Sequence, residues 1–241
     1  MSFAQLQINQ QQWRAAGQRL IEMAIAEFLY EEIIDVESLG NGLYQLQLAD
    51  RTYQFNGYRY LLGHWNIQSG SVRDLTQLNH QAAWNLHEFI VAAAQATQVK
   101  PFTQAYLIKE MNNTWLAEAH LFDEKRLNSE AILTESHHRI EGMLRGHPWL
   151  IMSKGRMGFG YDDYLNAAPE LSPEVKVLWL AVHRDLANYR FSSNWSAAEL
   201  YQHEFDAKEL QHFAQKLSEK GLSVEDYYLI PVHALSLIHI S

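Results

Sequence analysis

Gly146-His147-Pro148-Trp149-Leu150-Ile151-Met152-Ser153-Lys154-Gly155-Arg156-Met157-Gly158-Phe159-Gly160 packs a His-Pro pair, two cations and four glycines into fifteen residues. Glycine permits positive φ and lets backbone approach another group closely. Lysine and arginine offer charge-assisted hydrogen bonds to carboxylate or phosphate. The stretch therefore reads as a loop that meets an anion, and equally as a basic surface loop with turn glycines, since no phosphate-loop motif matches it. It also divides the chain: helical and hairpin patterns precede it, and strand patterns in a different rhythm follow.

Before the loop, residues 9–32 repeat apolar side chains at helical spacing, with Trp13, Leu20, Ala24 and Phe28 on one face and Gly17 as a weak point or close contact. Asn41-Gly42 opens β structure. Tyr44, Leu46 and Leu48 alternate with Gln45 and Gln47, Asp50-Arg51 turns the chain, and Thr52–Phe55 returns as the partner strand. A third strand is expected within 58–67, with Trp65 and Ile67 on one face and His64 as a structural histidine. Residues 78–96 read as one helix. His80 and His87 lie seven apart on it, without an acidic partner nearby. Pro101 ends that helical segment, and Thr103 is the expected cap of the next, which carries Leu107, Ile108, Met111, Trp115 and Ala119. Residues 129–145 form a further helical run into the loop. Its His137, His138 and Glu141 are the densest set of possible metal ligands, but their order is not the His-Glu-x-x-His of zinc proteases.

After the loop, 161–165 reads as a short helix, broken by Pro169 and Pro173. Val175, Val177, Trp179 and Ala181 then suggest a mostly buried strand ending at His183-Arg184-Asp185, where an Arg184–Asp185 rim salt bridge is one reading. Residues 206–220 form an amphipathic helix stopped by Gly221, and 227–232 a last strand. The expected fold class is α+β: a helical N-terminal lobe with a small antiparallel sheet (1–145), followed by the start of a second mixed α/β region (146–233).

Composition narrows the function. A chain of 241 residues with 47% hydrophobic and 12% aromatic residues is that of a folded globular protein. The formal charge of −9 disfavours nucleic acid and anionic membrane as partners. Cysteine is absent, which removes thiolate nucleophiles and Cys-type zinc sites. No secretory leader or spanning run is legible, so a cytoplasmic location is expected.

The loop's pattern, G-H-P-x6-G-R-x-G-F-G, followed by Tyr164 and Ala168-Pro169-Glu170, resembles the signature of the NRPS-independent siderophore synthetases, the aerobactin-synthetase-like family. Trp179–Asp185, Tyr227–His233 and an opening Trp helix with Ala26-Glu27-Phe28 fit the same family. Leu150-Ile151 stands where the common form has a second His-Pro, as in the branch that joins and cyclises hydroxamate amino acids in desferrioxamine and putrebactin synthesis. The resemblance implies an ATP-dependent, AMP-forming acid–amine ligase using Mg²⁺, with small carboxylate and hydroxamate-bearing amine substrates and a possible homodimer. It implies His147, Lys154 and Arg156 as catalytic residues, and His147, Ser153, Lys154, Gly155, Arg156, Gly158 and His233 as the nucleotide and carboxylate contacts, with no metal-ligand set. Residues 234–241 depart from the family, which continues Pro-Val-His with Pro-Trp-Gln. They are expected to be a non-native tail on a truncated chain that is inactive alone. Two alternatives stay open: a non-catalytic small-molecule-binding fragment, and a metal-dependent enzyme built on His137, His138 and Glu141.

Overall fold

The structure is a computed structural model, and it describes residues 8–79, 81–122, 129–171 and 177–233. The chain divides into two compact units, residues 1–173 and 174–241.

The first unit is built around helix α1 (Gln10–Tyr30). Asn9 caps it through a reciprocal box: its Oδ1 accepts the Gln12 N–H at 2.9 Å, and Gln12 Oε1 accepts the Asn9 N–H at 2.7 Å. Asn9→Ala is expected to cost about 1 kcal/mol in denaturant unfolding, and a change within error would show that the box contributes nothing. The apolar stripe of α1 is buried as its spacing predicts, with Leu20, Ile21, Ala24 and Ile25 each no more than 1% exposed.

The sheet expectations hold in outline. Strands β1 (Glu37–Gly40), β2 (Leu43–Leu48), β3 (Arg51–Arg59) and β4 (Trp65–Ile67) pair antiparallel in chain order, and β5 (Arg73–Asp74) adds to β3. Leu46 and Leu48 face the core with Tyr53 and Phe55 across the register. The turn lies one residue earlier than expected, at Ala49-Asp50, with Ala49 at φ 49°.

Two helix boundaries differ from the sequence reading. Helix α2 is Leu86–Ala96 rather than 78–96. Backbone around 81–83 bonds to β5 instead: the Ala83 N–H donates to Val72 O at 3.1 Å, and the Asp74 N–H to Gln81 O at 3.0 Å. Those groups cannot also serve a helix, so α2 starts only at the Asn85 cap. His80 lies outside the described residues, and His87 bonds to Asn112 instead. Helix α3 (Pro101–Leu121) opens on Pro101 itself, with Lys100 as cap and Thr103 inside the first turn. Proline at the first helical position loses no intrahelical bond, so it starts this helix.

Helices α1, α2 and α3 pack on one another and share a core with the sheet. Trp115 of α3 stacks on Trp13 at 4.2 Å between ring centroids, and its indole N–H donates to the Trp13 carbonyl at 2.8 Å. The expected run 129–145 is two short helices, α4 (Ser129–Thr134) and α5 (His137–Met143), separated where Ser136 turns extended. Beyond the central loop come α6 (Tyr161–Ala167) and a single 3₁₀ turn at Pro169–Leu171.

The second unit contains the antiparallel pair β6 (Leu178–His183) and β7 (Tyr227–Val232), with α7 (Ala197–Glu204) and α8 (Ala207–Ser218) between them in sequence. Phe205 joins these pieces, with its ring 4.5 Å from Trp179 and 5.3 Å from Phe213. The strand expected to be mostly buried is not: Val177, Leu178 and Leu180 are 47%, 46% and 39% exposed. Phe205 covers Trp179, but Val177 and Ala181 on the same face are exposed as well, so the two-stranded ribbon is open along both faces near Trp179. Val175 and the expected tail 234–241 lie outside the described residues. At the strand end, Arg184 lies over the Tyr228 ring at 4.6 Å, and Asp185 faces His183 Nδ1 at 3.4 Å, in place of an Arg184–Asp185 bridge.

Both units mix helices with small antiparallel sheets, an α+β protein as the sequence indicates. The division falls after the central loop, not before it at residue 145, because the loop is packed into the first unit. Among the described residues no helix is long and apolar enough to cross a membrane.

Candidate functional site

The central loop is tied down from three directions. Ile151 inserts into the core at 1% exposure, and its N–H donates to Glu27 Oε2 of α1 at 3.1 Å. Asn113 Nδ2 of α3 donates to the Gly155 carbonyl at 2.7 Å. The backbone closes successive turns, with the Ser153 N–H on Leu150 O at 3.0 Å and the Phe159 N–H on Arg156 O at 2.9 Å. Gly146 and Gly158 take φ of +84° and +89°, which a side chain would resist. Gly155 is needed for another reason. A Cβ there would stand 3.0 Å from Cβ of Glu110, so the glycine lets the loop lie flat on α3 and is not held open for a ligand.

The two cations of the loop converge on one carboxylate, Glu170. Lys154 is 6% exposed, and its ammonium donates to Glu170 Oε1 and to the Leu144 carbonyl at 2.6 Å. Arg156 Nη2 donates to both Glu170 oxygens at 2.7 and 2.8 Å. The Glu170 side chain is fully buried, while that of Arg156 keeps 22% exposure. Burial pushes the Glu170 carboxyl up, but hydrogen bonds from Arg156 and Lys154 outweigh it and hold the group below its usual range. Tyr164, buried beside them, is pushed up by burial and by the Glu170 charge, against the opposing effect of Arg156, and so stays a neutral hydroxyl. Two cations against one carboxylate leave a single net positive charge.

That charge lines a cavity of about 320 Å³, walled by Trp13, His87, Asn113, Phe159 and Tyr164 together with Lys154 and Arg156. The Arg156 guanidinium lies 5.7 Å from the Phe159 ring centroid and 5.9 Å from that of Tyr164, which fixes its plane. The cavity suits a small ligand with an anionic end and an apolar body.

His147 is elsewhere. It lines a separate cavity of about 370 Å³ on the other side of the loop, with Glu27, Tyr30, His64, Trp149 and Leu150. Its Nδ1 accepts the Trp149 N–H at 3.3 Å, a bond that Pro148 helps to shape. Ser153 Oγ donates to the Arg145 carbonyl at 3.5 Å, within the loop. His233 belongs to the second unit. The structure thus brings Lys154 and Arg156 together and places His147 apart from them.

Sequence reasoning missed Glu170, Asn113 and Glu27 as parts of this arrangement. A signal existed for Glu170: it stands in the Ala168-Pro169-Glu170 piece of the motif, downstream of the two cations, although Asp162 and Asp163 lie nearer to them in sequence. Glu27 stands in the Ala26-Glu27-Phe28 stretch that fits the motif, but neither it nor Asn113 showed its partner, because a helix residue's partner across the core has no local signature. Among the described residues no group of three His, Asp or Glu side chains could hold a metal, and the side chain of His138 is outside that set.

Residues 136–240 match the IucA / IucC family, a span that takes in the whole loop and most of 234–241. The chain is 29% identical over 228 residues to the rhizobactin siderophore biosynthesis protein of Rhizobium meliloti, covering 93% of this chain and 37% of that protein. It is 27% identical to the putrebactin synthase of a Shewanella species, covering 92% of this chain and 36% of that one. Among solved structures, aerobactin synthetase IucC of Klebsiella pneumoniae superposes with a TM-score of 0.81 at 24% identity, over 97% of this chain and 43% of that one. ATP-bound aerobactin synthetase IucA of the same organism gives 0.52 at 17%, over 94% and 40%. The chain thus spans well under half the length of these proteins. On these matches, with the loop inside the matched span, the chain is similar to the IucA / IucC family, and the relatives it matches are named for siderophore biosynthesis.

Proposed function

We propose that this chain is part of an ATP-dependent acid–amine ligase of siderophore biosynthesis. The observation that carries the reading is the match over 93% of its residues to a siderophore biosynthesis protein, with the glycine-rich cationic loop inside the matched family span. The reaction in view joins a carboxylate to the α-phosphorus of ATP with loss of pyrophosphate. The amine nitrogen of a hydroxamate-bearing substrate then attacks the acyl carbon, sheds a proton, and displaces AMP.

Both acid and triphosphate are anions, so bringing them together requires fixed positive charge. Arg156 is the residue best placed to supply it: it is half-buried, planar, oriented by Glu170, and on the wall of a cavity. Lys154 acts at one remove, neutralising Glu170 so that the guanidinium keeps its net charge. Gly158 supplies a turn that only glycine adopts easily, and Ser153 braces the loop. His147 and His233 stay in the proposal as nucleotide contacts on the motif alone. Mg²⁺ enters this reading with the triphosphate it accompanies.

The test is pyrophosphate release with ATP, Mg²⁺ and an N-hydroxy-N-succinyl diamine. It is run on the 241-residue chain and on a version extended to the length of its relatives. Turnover is expected only from the longer protein, because one loop offers one wall of a triphosphate site. Arg156→Ala in the longer protein should lower turnover by about a hundredfold or more. Multiple turnovers by the 241-residue chain would refute the shared-site reading. No ATP-dependent release from the longer protein would refute the ligase.

A further inference from the structure

The His147 side of the loop carries a second site of opposite character. Tyr30, His64 and Trp149 form a three-ring stack, with the imidazole 4.2 Å from the phenol at 9° and 4.4 Å from the indole at 21°. Tyr30 and Trp149 remain 42% and 57% exposed, so the ends of the stack face open space. Ala26, Trp65 and Leu150 add apolar wall.

The charge of this cavity is negative. Glu27 in the last turn of α1 and Glu31, its C-cap four residues on, both line it, and no lysine or arginine is among its described walls. Like charges at this spacing repel each other and are unfavourable in a helix. Neither carboxylate has a cationic side-chain partner within ion-pair distance among the described residues, and Glu27 accepts only the Ile151 N–H, through Oε2. Burial, together with the charge of Glu31, raises the Glu27 carboxyl above its usual range, while the Ile151 N–H and His147 oppose the shift. No lysine or arginine neutralises the pair among the described residues lining the cavity.

We infer that this cavity binds an alkylammonium group, with the ammonium between Glu27 and Glu31 and its methylene chain along the Tyr30–His64–Trp149 stack. Aromatic faces attract organic cations, and carboxylates supply the charge-assisted bonds. A bare metal ion is a poor fit, because aromatic and aliphatic walls offer it too few oxygens. In the space between Glu27 and Glu31 an anion is repelled by both carboxylates. The volume of about 370 Å³ lies at the lower end of the roughly 300–1,000 Å³ of small-molecule sites, enough for a short diaminoalkane. The loop would then separate a positively charged cavity on its Arg156 side from a negatively charged one on its Trp149 side. That this second cavity receives the amine partner of a ligation rests on the proposed ligase; the binding itself does not.

The experiment is calorimetric titration of the 241-residue chain with 1,5-diaminopentane, without ATP, in about 0.15 M salt so that loose attraction to the acidic protein is screened. Saturable binding is expected, with a change in tryptophan fluorescence. Glu27→Gln keeps an acceptor for the Ile151 N–H and should weaken binding at least tenfold. Trp149→Ala, at an exposed position, should weaken it similarly and abolish the fluorescence change. Pentanoate should not bind this cavity. Absence of saturable binding, binding unchanged in both variants, or pentanoate matching the diamine in a Trp149-dependent signal would each overturn the assignment. A chain that binds the diamine while its extended form releases no pyrophosphate would refute the ligase alone. Pyrophosphate release without diamine binding would refute this site alone.

Discussion

Glu170→Ala is expected to destabilise the first unit by about 3–5 kcal/mol, the usual consequence of removing one member of a buried charge cluster. Lys154 is 6% exposed and cannot rehydrate without opening the loop, and Arg156 loses both of its carboxylate bonds. Denaturant unfolding followed by tryptophan fluorescence measures this. A loss below about 1 kcal/mol would mean that the two cations find water easily and that Glu170 does not organise them. Replacing Lys154, Arg156 and Glu170 together by apolar residues should cost less than Glu170→Ala alone, since no orphaned charge is left behind. The cluster also sets a pH dependence. The folded carboxyl titrates below its ordinary value, so its contribution is complete above the unfolded pKa of about 4.3 and is lost as pH falls through the lower folded value. Glu170→Gln should flatten that part of the acid unfolding curve.

Gly17→Ala sets helix propensity against packing, and packing should win by about 3 kcal/mol. Alanine in mid-helix would ordinarily gain up to about 1 kcal/mol over glycine. Here the added methyl would overlap the Trp84 carbonyl oxygen and lie 2.9 Å from Cζ2 of Trp115. A carbonyl in the backbone ahead of α2 cannot swing aside as a long side chain could, so α1 must move off its neighbours. The Trp13–Trp115 stack crosses the same contact, so the near-UV dichroism of the tryptophans should change along with stability. A stabilised variant with an unchanged tryptophan signal would show that the approach of α1 to Trp84 is looser than these distances.

Much of this protein was legible before its structure. The α1 stripe, β2, α8 and β7 carry local periodicity, and each formed within a residue or two of its expected span, while β3 pairs as expected but runs four residues beyond Phe55. Errors came where a local pattern met a distant partner. Residues 78–85 look helical, but their backbone is claimed by β5. Thr103 is a good cap, but Pro101 had already opened the helix. The loop was recognisable as special from its glycines and cations, whereas the direction of its cations was not.

The sequence by itself determined the α+β class and the position of the central loop, because glycine spacing, charge and apolar rhythm act over a few residues and survive without neighbours. Only the tertiary structure decided what the loop's charges face. Lys154 and Arg156 turn inward to Glu170 because a buried carboxylate binds cations more strongly than water-exposed ones do. His147 parts from them because Ile151, pinned in the core and held by Glu27, turns the two ends of the loop to opposite sides. A chain fixes its local conformations through near neighbours, but which charges meet is settled by packing between segments as distant as Glu27 and Ile151.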